Sequence, residues 1–268
     1  QFKHLSFQEG LFAQHLLMQA KEGWEGWATD EDAAKFINNP FMNNTCRIAA
    51  GHLGTLLAKR RPNWDFAAKE ARLTEVGLQA LWLIMEHNLN LRRLSLSSNK
   101  VGGVPSDSPG IAKMLTTSTA LVALDLSKNL LGSLKTQLRI MARGLSQNKS
   151  LTYLNISNNE LWPDGTKIMC NALRACTTIR KVDLSYNHPG REPALANLFV
   201  AHPTLTSVGV IEAEPQSRLE KSFHLDPRAK EAIGRAILEG TGHVQFLQCD
   251  AFKLLEDTTT LRWDTVLQ

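Results

Sequence analysis

The chain has 268 residues, of which 43% are hydrophobic and 21% are charged, which is ordinary globular composition with ample apolar material for a core. The net charge of +4 and the pI near 8.9 give only weak support for a nucleic-acid or acidic-membrane partner, because the charges are scattered along the chain. The densest apolar stretch, Ala80–Met85, is far shorter than a membrane span.

Cysteine usage favours a reducing compartment. The four cysteines are few for this length and form no CxxC pair, which argues against a disulfide framework or a zinc site. We therefore expect an intracellular, cytoplasmic location. The four residues are Cys46, Cys170, Cys176 and Cys249.

The first elements along the chain are predicted helices. Ser6 and Glu9 have the spacing of a capping box ahead of an apolar helical stretch. Pro40 ends a later short helix, and apolar residues of 46–59 fall on one helical face. We interpret residues 1–62 as a helical N-terminal cap.

A repeated motif dominates the middle of the chain. The pattern LxxLxLxxN begins at residues 91, 121, 151 and 179, and a fifth copy at 205 keeps the aliphatic positions without the asparagine. The period therefore lies in the high twenties, and counting back places a degenerate strand near Trp64–Ala68. The motif asparagines are Asn99, Asn129, Asn159 and Asn187.

Each position of the motif has a physical reason. The xLxL segment predicts a short strand whose aliphatic side chains point inward and stack on the next repeat. An asparagine turns the chain and satisfies backbone groups of neighbouring turns with its amide, which an apolar residue cannot do. A single unit cannot bury its apolar face, so stacked units build one continuous core.

Between the strands the apolar spacing becomes helical. Apolar residues recur three and four positions apart, which predicts one amphipathic helix per repeat. Leu134 is among the residues expected on an inward face. The predicted helices are Thr74–Met85, Ser133–Leu145, Pro163–Ala175 and Arg191–Val200.

The consensus, the helical second half and the repeat length together resemble leucine-rich-repeat proteins of the ribonuclease-inhibitor-like subfamily, over about Trp64–Val210. The resemblance implies an α/β solenoid shaped as a horseshoe, with parallel strands on the concave side and helices on the convex side. We assign residues 63–268 to this solenoid.

The repeat fades toward the C-terminal end. Residues 212–224 are polar and contain Pro215, which indicates an insertion. A helix is predicted from Asp226 to Gly240, followed by a degenerate repeat strand at Val244–Cys249. Leu261–Trp263 is a candidate last strand.

No motif in the sequence points to catalysis. The eight histidines are dispersed without HExxH spacing, no Walker loop or GxSxG occurs, and Val101–Gly103 lacks the Lys-Ser or Lys-Thr of a phosphate-binding loop. We therefore expect no enzyme activity, no cofactor and no metal.

The candidate binding residues come from the exposed face of the strands. Side chains alternate along a strand, so residues between the core aliphatics, including the serines that precede each xN, should face the concave surface. Trp162 follows the Asn159 turn and either projects from a rim or fills the turn against its neighbour; Trp24 and Trp27 are a second aromatic pair in the cap. The predicted partner-binding set is Arg93, Asp125, Tyr153, Asn155, Lys181, Asp183, Tyr186 and Trp162.

The resemblance implies protein–protein recognition by a non-catalytic module or scaffold. A second hypothesis is a GTPase-activating protein resembling the Ran activator, which would need a catalytic arginine such as Arg92 or Arg93. A third is a structural subunit of a large complex that uses the N-terminal cap and the insertion at 212–224 as its contacts.

Overall fold

The computed structural model describes residues 5–22, 29–49, 63–85, 90–103, 110–189, 193–210 and 246–249. The predicted insertion at 212–224, the helix at 226–240, the last strand at 261–263, and Trp24 and Trp27 lie outside these residues. No helix in the described part of the chain is long and apolar enough to cross a membrane.

In the described residues, three α-helices precede the sheet: α1 (Leu5–Glu22), α2 (Asp30–Ile37) and α3 (residues 43–49). The capping box predicted at Ser6 is wrong, because Ser6 lies inside α1. A capping box does occur at Thr29, whose hydroxyl accepts the Asp32 N–H at 3.1 Å while Asp32 Oδ2 accepts the Thr29 N–H at 3.2 Å. The predicted stop before Pro40 is confirmed, since α2 ends at Ile37.

One side chain attaches α2 to the first repeat. Asn38 Nδ2 donates to the carbonyl of Arg72 at 2.8 Å, and Asn38 Oδ1 accepts the Thr74 N–H at 2.7 Å. Gly77 lies so close to the Asn38 side chain that a Cβ on Gly77 would be 2.0 Å from Asn38 Oδ1. A glycine is therefore required for the cap to approach the next helix.

Seven parallel strands form one sheet in sequence order within the described residues. Pairing is in register, so that Leu94 lies beside Leu124, Leu124 beside Leu154 and so on along the sheet. This confirms the predicted α/β solenoid, although the first strand lies slightly before its predicted place near Trp64–Ala68. The strands are β1 (Asn63–Asp65), β2 (Arg93–Ser95), β3 (Ala123–Asp125), β4 (Tyr153–Asn155), β5 (Lys181–Asp183), β6 (Ser207–Val210) and β7 (Phe246–Cys249).

A helix follows each of the first five strands. The four predicted helices are confirmed to within two residues at each end, whereas α5 was not predicted: it is short and begins at a glycine. Leu134 was expected to face inward and instead precedes α6 as an exposed residue. The helices are α4 (Glu75–Met85), α5 (Gly110–Thr117), α6 (Lys135–Gln147), α7 (Trp162–Ala175) and α8 (Pro193–Ala201).

The described residues share one hydrophobic core, which lies between the sheet and the helices. The middle residue of each strand from β1 to β5 is buried, and so are the apolar faces of α4, α6 and α7. The strands are only three or four residues long, so each repeat depends on its neighbours for burial.

The motif asparagines form a buried ladder through the turns. Asn129 Oδ1 accepts the N–H groups of Asn99 (2.9 Å) and Val101 (3.1 Å), and its Nδ2 donates to the carbonyl of Leu96 in the preceding repeat (2.7 Å). Asn159 repeats the arrangement one unit along, as predicted for amides that satisfy neighbouring turns. The ladder fixes each turn against the next.

Candidate functional site

The strand face is the sheet surface formed by the first and third residues of each strand from β1 to β6. All of these residues are exposed or half-buried, and neighbours along a row lie about 4.8 Å apart, which is the strand spacing. The first-position row is Asn63, Arg93, Ala123, Tyr153, Lys181 and Ser207, and the third-position row is Asp65, Ser95, Asp125, Asn155, Asp183 and Gly209.

Six of the eight predicted binding residues lie together on this face. Arg93 and Lys181 bring positive charge to the first-position row, with Tyr153 between them. Asp125 and Asp183 bring negative charge to the third-position row, with Asn155 between them. The face therefore presents a cationic row beside an acidic row at fixed spacing.

The acidic row is held by local hydrogen bonds. Asp125 Oδ1 accepts the Ser127 N–H at 2.8 Å, and Asp183 Oδ1 accepts the Ser185 N–H at 2.9 Å. These turns orient one carboxylate oxygen and leave the other for a partner. Ser127 and Ser185 themselves are buried, so the expectation that these two serines face the concave surface is wrong.

Tyr153 stands at the centre of the face. Partial burial raises the pKa of its phenol, the carboxylates of Asp125 and Asp183 raise it further, and a hydrogen bond with the Asn155 side chain lowers it. Both carboxylates therefore act on the same hydroxyl, which keeps it protonated as a donor. A tyrosine in this position combines a large ring with a polar tip, as anchor residues at interfaces do.

A groove of about 330 Å3 opens on the β1–β4 side of the face. Arg93, Asp125 and Tyr153 line it, together with Asp30 of α2 and Asp65 of β1. Neither Asp30 nor Asp65 was predicted, because α2 lies outside the repeats and β1 lacks the consensus motif. The alternation around Trp64, which is buried, was the available signal for Asp65.

Tyr186 does not lie on the strand face, which corrects its place in the predicted set, whereas Trp162 lies in the turn after Asn159, where it was predicted. Both belong to the turn edge, which we define as the left-handed residues flanking the motif asparagines together with Trp162. A left-handed backbone costs a non-glycine residue about 1 kcal/mol or more. The members and their φ angles are Ser98 (63°), Lys100 (55°), Lys128 (56°), Leu130 (56°), Asn158 (53°), Glu160 (52°), Trp162 (54°), Tyr186 (58°) and His188 (52°).

Trp162 occupies a position where two preceding repeats have glycine. Gly102, Gly132 and Trp162 each follow a motif asparagine by three residues, and the N–H of each donates to the next motif asparagine's carbonyl at 2.9–3.0 Å. A Cβ on Gly132 would lie 1.9 Å from the carbonyl oxygen of Glu160, so a side chain is excluded there. At Trp162 the ring instead stacks on His188, with centroids 4.8 Å apart and planes 19° from parallel.

The turn edge carries exposed apolar side chains. Among the described residues of the repeats, the large hydrophobic side chains that are exposed are Leu130 (39%), Leu134 (41%), Trp162 (37%) and Tyr186 (42%). All four lie in the turns after β3, β4 and β5, and we call them the turn-edge patch. Trp162 thus both projects from the rim and packs against its neighbouring turn.

The described residues offer little for chemistry. No group of histidine, cysteine, aspartate or glutamate among them could hold a metal ion. Cys46, Cys170 and Cys176 are buried, and burial raises the pKa of the Cys46 thiol to about 12, which removes it as a nucleophile at neutral pH. Arg92 and Arg93 lie at the start of β2, on or beside the strand face.

Repeated strand, turn and helix units joined by an asparagine ladder define a leucine-rich-repeat solenoid. Residues 87–104 and 147–166 match the family model described as Leucine Rich repeat, which supports a leucine-rich-repeat protein. The search of curated proteins gives no match. Leucine-rich repeats generally mediate protein–protein interaction and are typically non-catalytic.

Proposed function

We propose that this chain is a non-catalytic protein-interaction module that binds a protein partner through its strand face. The observation that carries the proposal is the pair of register-matched rows with Tyr153 between Asp125 and Asp183. The ribonuclease-inhibitor-like subfamily, a scaffold role within a larger complex and an intracellular location are parts of the same proposal. So is the division into a helical cap at 1–62 and a solenoid at 63–268.

Binding on this face needs little reorganisation. The strands are anchored by buried aliphatics on one side and by the asparagine ladder at their ends, so the exposed side chains start from fixed positions. Less conformational entropy is then lost on association. A preformed surface suits recognition of a folded partner.

The charges constrain the partner. Acidic groups of the partner would meet Arg93 and Lys181, and basic groups would meet Asp125 and Asp183. The two acidic residues are two strands apart, or about 10 Å. Complementary charges at that spacing would steer association and exclude partners with the opposite pattern.

Affinity purification with matched variants tests this proposal. The amount of partner that co-purifies with the triple variant R93A/Y153A/K181A should fall at least tenfold. A control triple on exposed helix positions, R143A/K167A/R174A, removes three large side chains and at least as much positive charge elsewhere and should retain the partner. If both variants retain the partner equally, the interface is not on the strand face, and the cap or the insertion at 212–224 becomes the candidate.

A further inference from the structure

The groove over β1–β3 owes its shape to a small residue between two large ones. On the first-position row, Ala123 lies between Arg93 and Tyr153, each one strand spacing away, or about 4.8 Å. Alanine has no side-chain atom beyond Cβ, so the two long side chains leave a gap above it, which we call the Ala123 slot. The groove, at about 330 Å3, is at the small end of the range for ligand sites, about 300–1,000 Å3, so it fits individual side chains of a partner.

The charged residues that line the groove are mostly acidic. Asp65 and Asp125 lie two strands apart on the third-position row, or about 10 Å, and Asp30 of α2 contributes a third carboxylate. Arg93 is the one cation among the described residues that line the groove. Three negative charges against one positive charge favour a cationic group of the partner.

The two carboxylates of the third-position row are held in the same way. Asp65 Oδ1 accepts the Ala67 N–H at 2.9 Å, and Asp125 Oδ1 accepts the Ser127 N–H at 2.8 Å. Neither carboxylate forms an ion pair with a cation of the described residues. Each therefore presents a charged oxygen, Oδ2, to a donor from the partner.

Tyr153 gives the slot an aromatic wall next to one of these carboxylates. Asp125 lies close enough to raise the pKa of the Tyr153 phenol, so the ring and the carboxylate border the same slot. In the described part of the chain, no other ring or cation contacts the Tyr153 ring. An arginine suits both groups, because its planar guanidinium can lie on an aromatic ring while its edge donates to a carboxylate; a lysine ammonium lacks this planar fork.

Arg93 forms the opposite wall of the slot and limits what stands beside the arginine. No carboxylate of the described residues pairs with Arg93 at 4.0 Å or less. Its charge repels a second cation and attracts an acidic group of the partner. An arginine with an acidic neighbour therefore matches the charges of the groove better than a polybasic segment does.

We propose that the protein partner anchors an arginine in the Ala123 slot, where its guanidinium lies on the Tyr153 ring and donates to Asp125. An acidic residue beside that arginine meets Arg93. This inference rests on the proposed function, since the slot is part of the strand face, and it adds the chemistry of the partner. It also gives the cap a part in recognition, because Asp30 of α2 lines the same groove.

A displayed library of random dodecapeptides, panned on the wild-type chain, tests the proposal. We expect enriched peptides in which an arginine stands next to an acidic residue. Binding of one synthetic enriched peptide is then measured by fluorescence anisotropy. Replacing its arginine with citrulline keeps the shape but removes the charge and should weaken binding about tenfold or more, and replacement with lysine should weaken it about threefold or more.

Two variants of the chain test the slot from the other side. Asp125→Asn keeps the oxygen that accepts the Ser127 N–H and removes the charge, and Ala123→Leu fills the slot without changing any charge; each should weaken peptide binding about tenfold. Both change half-buried residues of the strand face, so the thermal midpoint should stay that of the wild type. Asp164→Asn and Ala175→Leu make the same substitutions at exposed positions of α7 and should leave peptide binding unchanged.

Several outcomes would overturn the arginine anchor. These are no enrichment, enriched peptides without arginine, or a citrulline peptide that binds as tightly as its parent, a comparison made on the unaltered chain. If R93A/Y153A/K181A loses its partner while Asp125→Asn and Ala123→Leu bind the peptide as the wild type does, the anchor is wrong and the strand-face function stands. If the triple variant keeps its partner while the peptide follows the slot variants, the proposed function fails instead.

Discussion

Replacing Asn129 with alanine tests whether the asparagine ladder holds the repeats together. Asn129 is fully buried, and its side chain makes hydrogen bonds to two N–H groups of one turn and to the carbonyls of Leu96 and Ser127. Alanine leaves the N–H groups of Asn99 and Val101 buried without acceptors. We therefore expect a large loss of stability from a change that removes almost no apolar area.

The size of the stability loss follows from the number of buried polar groups left without a hydrogen-bond partner. Each buried donor or acceptor left without a partner costs about 1–3 kcal/mol. Two stranded N–H groups and two weakened carbonyl contacts give a loss of about 3–5 kcal/mol in the free energy of unfolding, large against a typical total of about 5–15 kcal/mol. Asn155→Ala is the matched control: its side chain is half-buried, accepts one backbone N–H, from Ser157 at 3.0 Å, and has a hydrogen bond with the half-buried Tyr153 side chain, so no fully buried group loses its partner and the loss should be about 1 kcal/mol.

Urea denaturation monitored by circular dichroism gives the free energy of unfolding of both variants, and hydrogen exchange shows which amides lose protection. In Asn129→Ala, the amides of Asn99 and Val101 should lose protection first, because they donate to the missing oxygen. A loss no larger than that of Asn155→Ala, or unchanged protection of those two amides, would refute the ladder as the device that joins the repeats.

Three further predictions concern the face, the turns and catalysis. In a Tyr186→Phe chain, Tyr153 is the single tyrosine, and ultraviolet absorbance should show its phenol titrating above the ordinary pKa of tyrosine. Adding Asp183→Asn should lower this pKa, because one of the two carboxylates that raise it is removed. Since the folded-state pKa is raised, the contribution to stability is fully present below the ordinary pKa and is lost as pH rises through the folded-state pKa. Gly132→Ala should lower the thermal midpoint, since the new Cβ would lie 1.9 Å from a carbonyl oxygen, whereas Gly10→Ala, with nothing within 4 Å, should leave it equal or higher. GTP hydrolysis by a panel of small GTPases should be unchanged when the chain is added; a rate increase lost in Arg92→Ala or Arg93→Ala would instead support the GTPase-activating hypothesis.

The fold could be predicted from the sequence because the repeat depends on residue types that few others can replace. Leu94 and its equivalents must be apolar to fill the core, and Asn129 and its equivalents must offer both a donor and an acceptor. Four copies in phase therefore predicted strands, turns and most helices. Helix α5 was not predicted because it is short, begins at a glycine and ends in two threonines.

The candidate site was predicted less completely. Alternation along the strands correctly grouped six residues on one face, since a side chain's direction in a strand follows from its position. It could not place Tyr186, because turn geometry depends on φ angles that the motif does not reveal. Leu134 was misassigned for a related reason: the helical spacing continued through it, but α6 begins one residue later.

In the proposed function a protein partner contacts the strand face, and site-specific photo-crosslinking detects that contact. A photoreactive phenylalanine analogue in place of Tyr153 stands on that face, and the same analogue in place of Arg143 stands on the exposed side of α6. We expect a crosslinked partner from position 153 and none from position 143. Crosslinking from position 143 alone would contradict it.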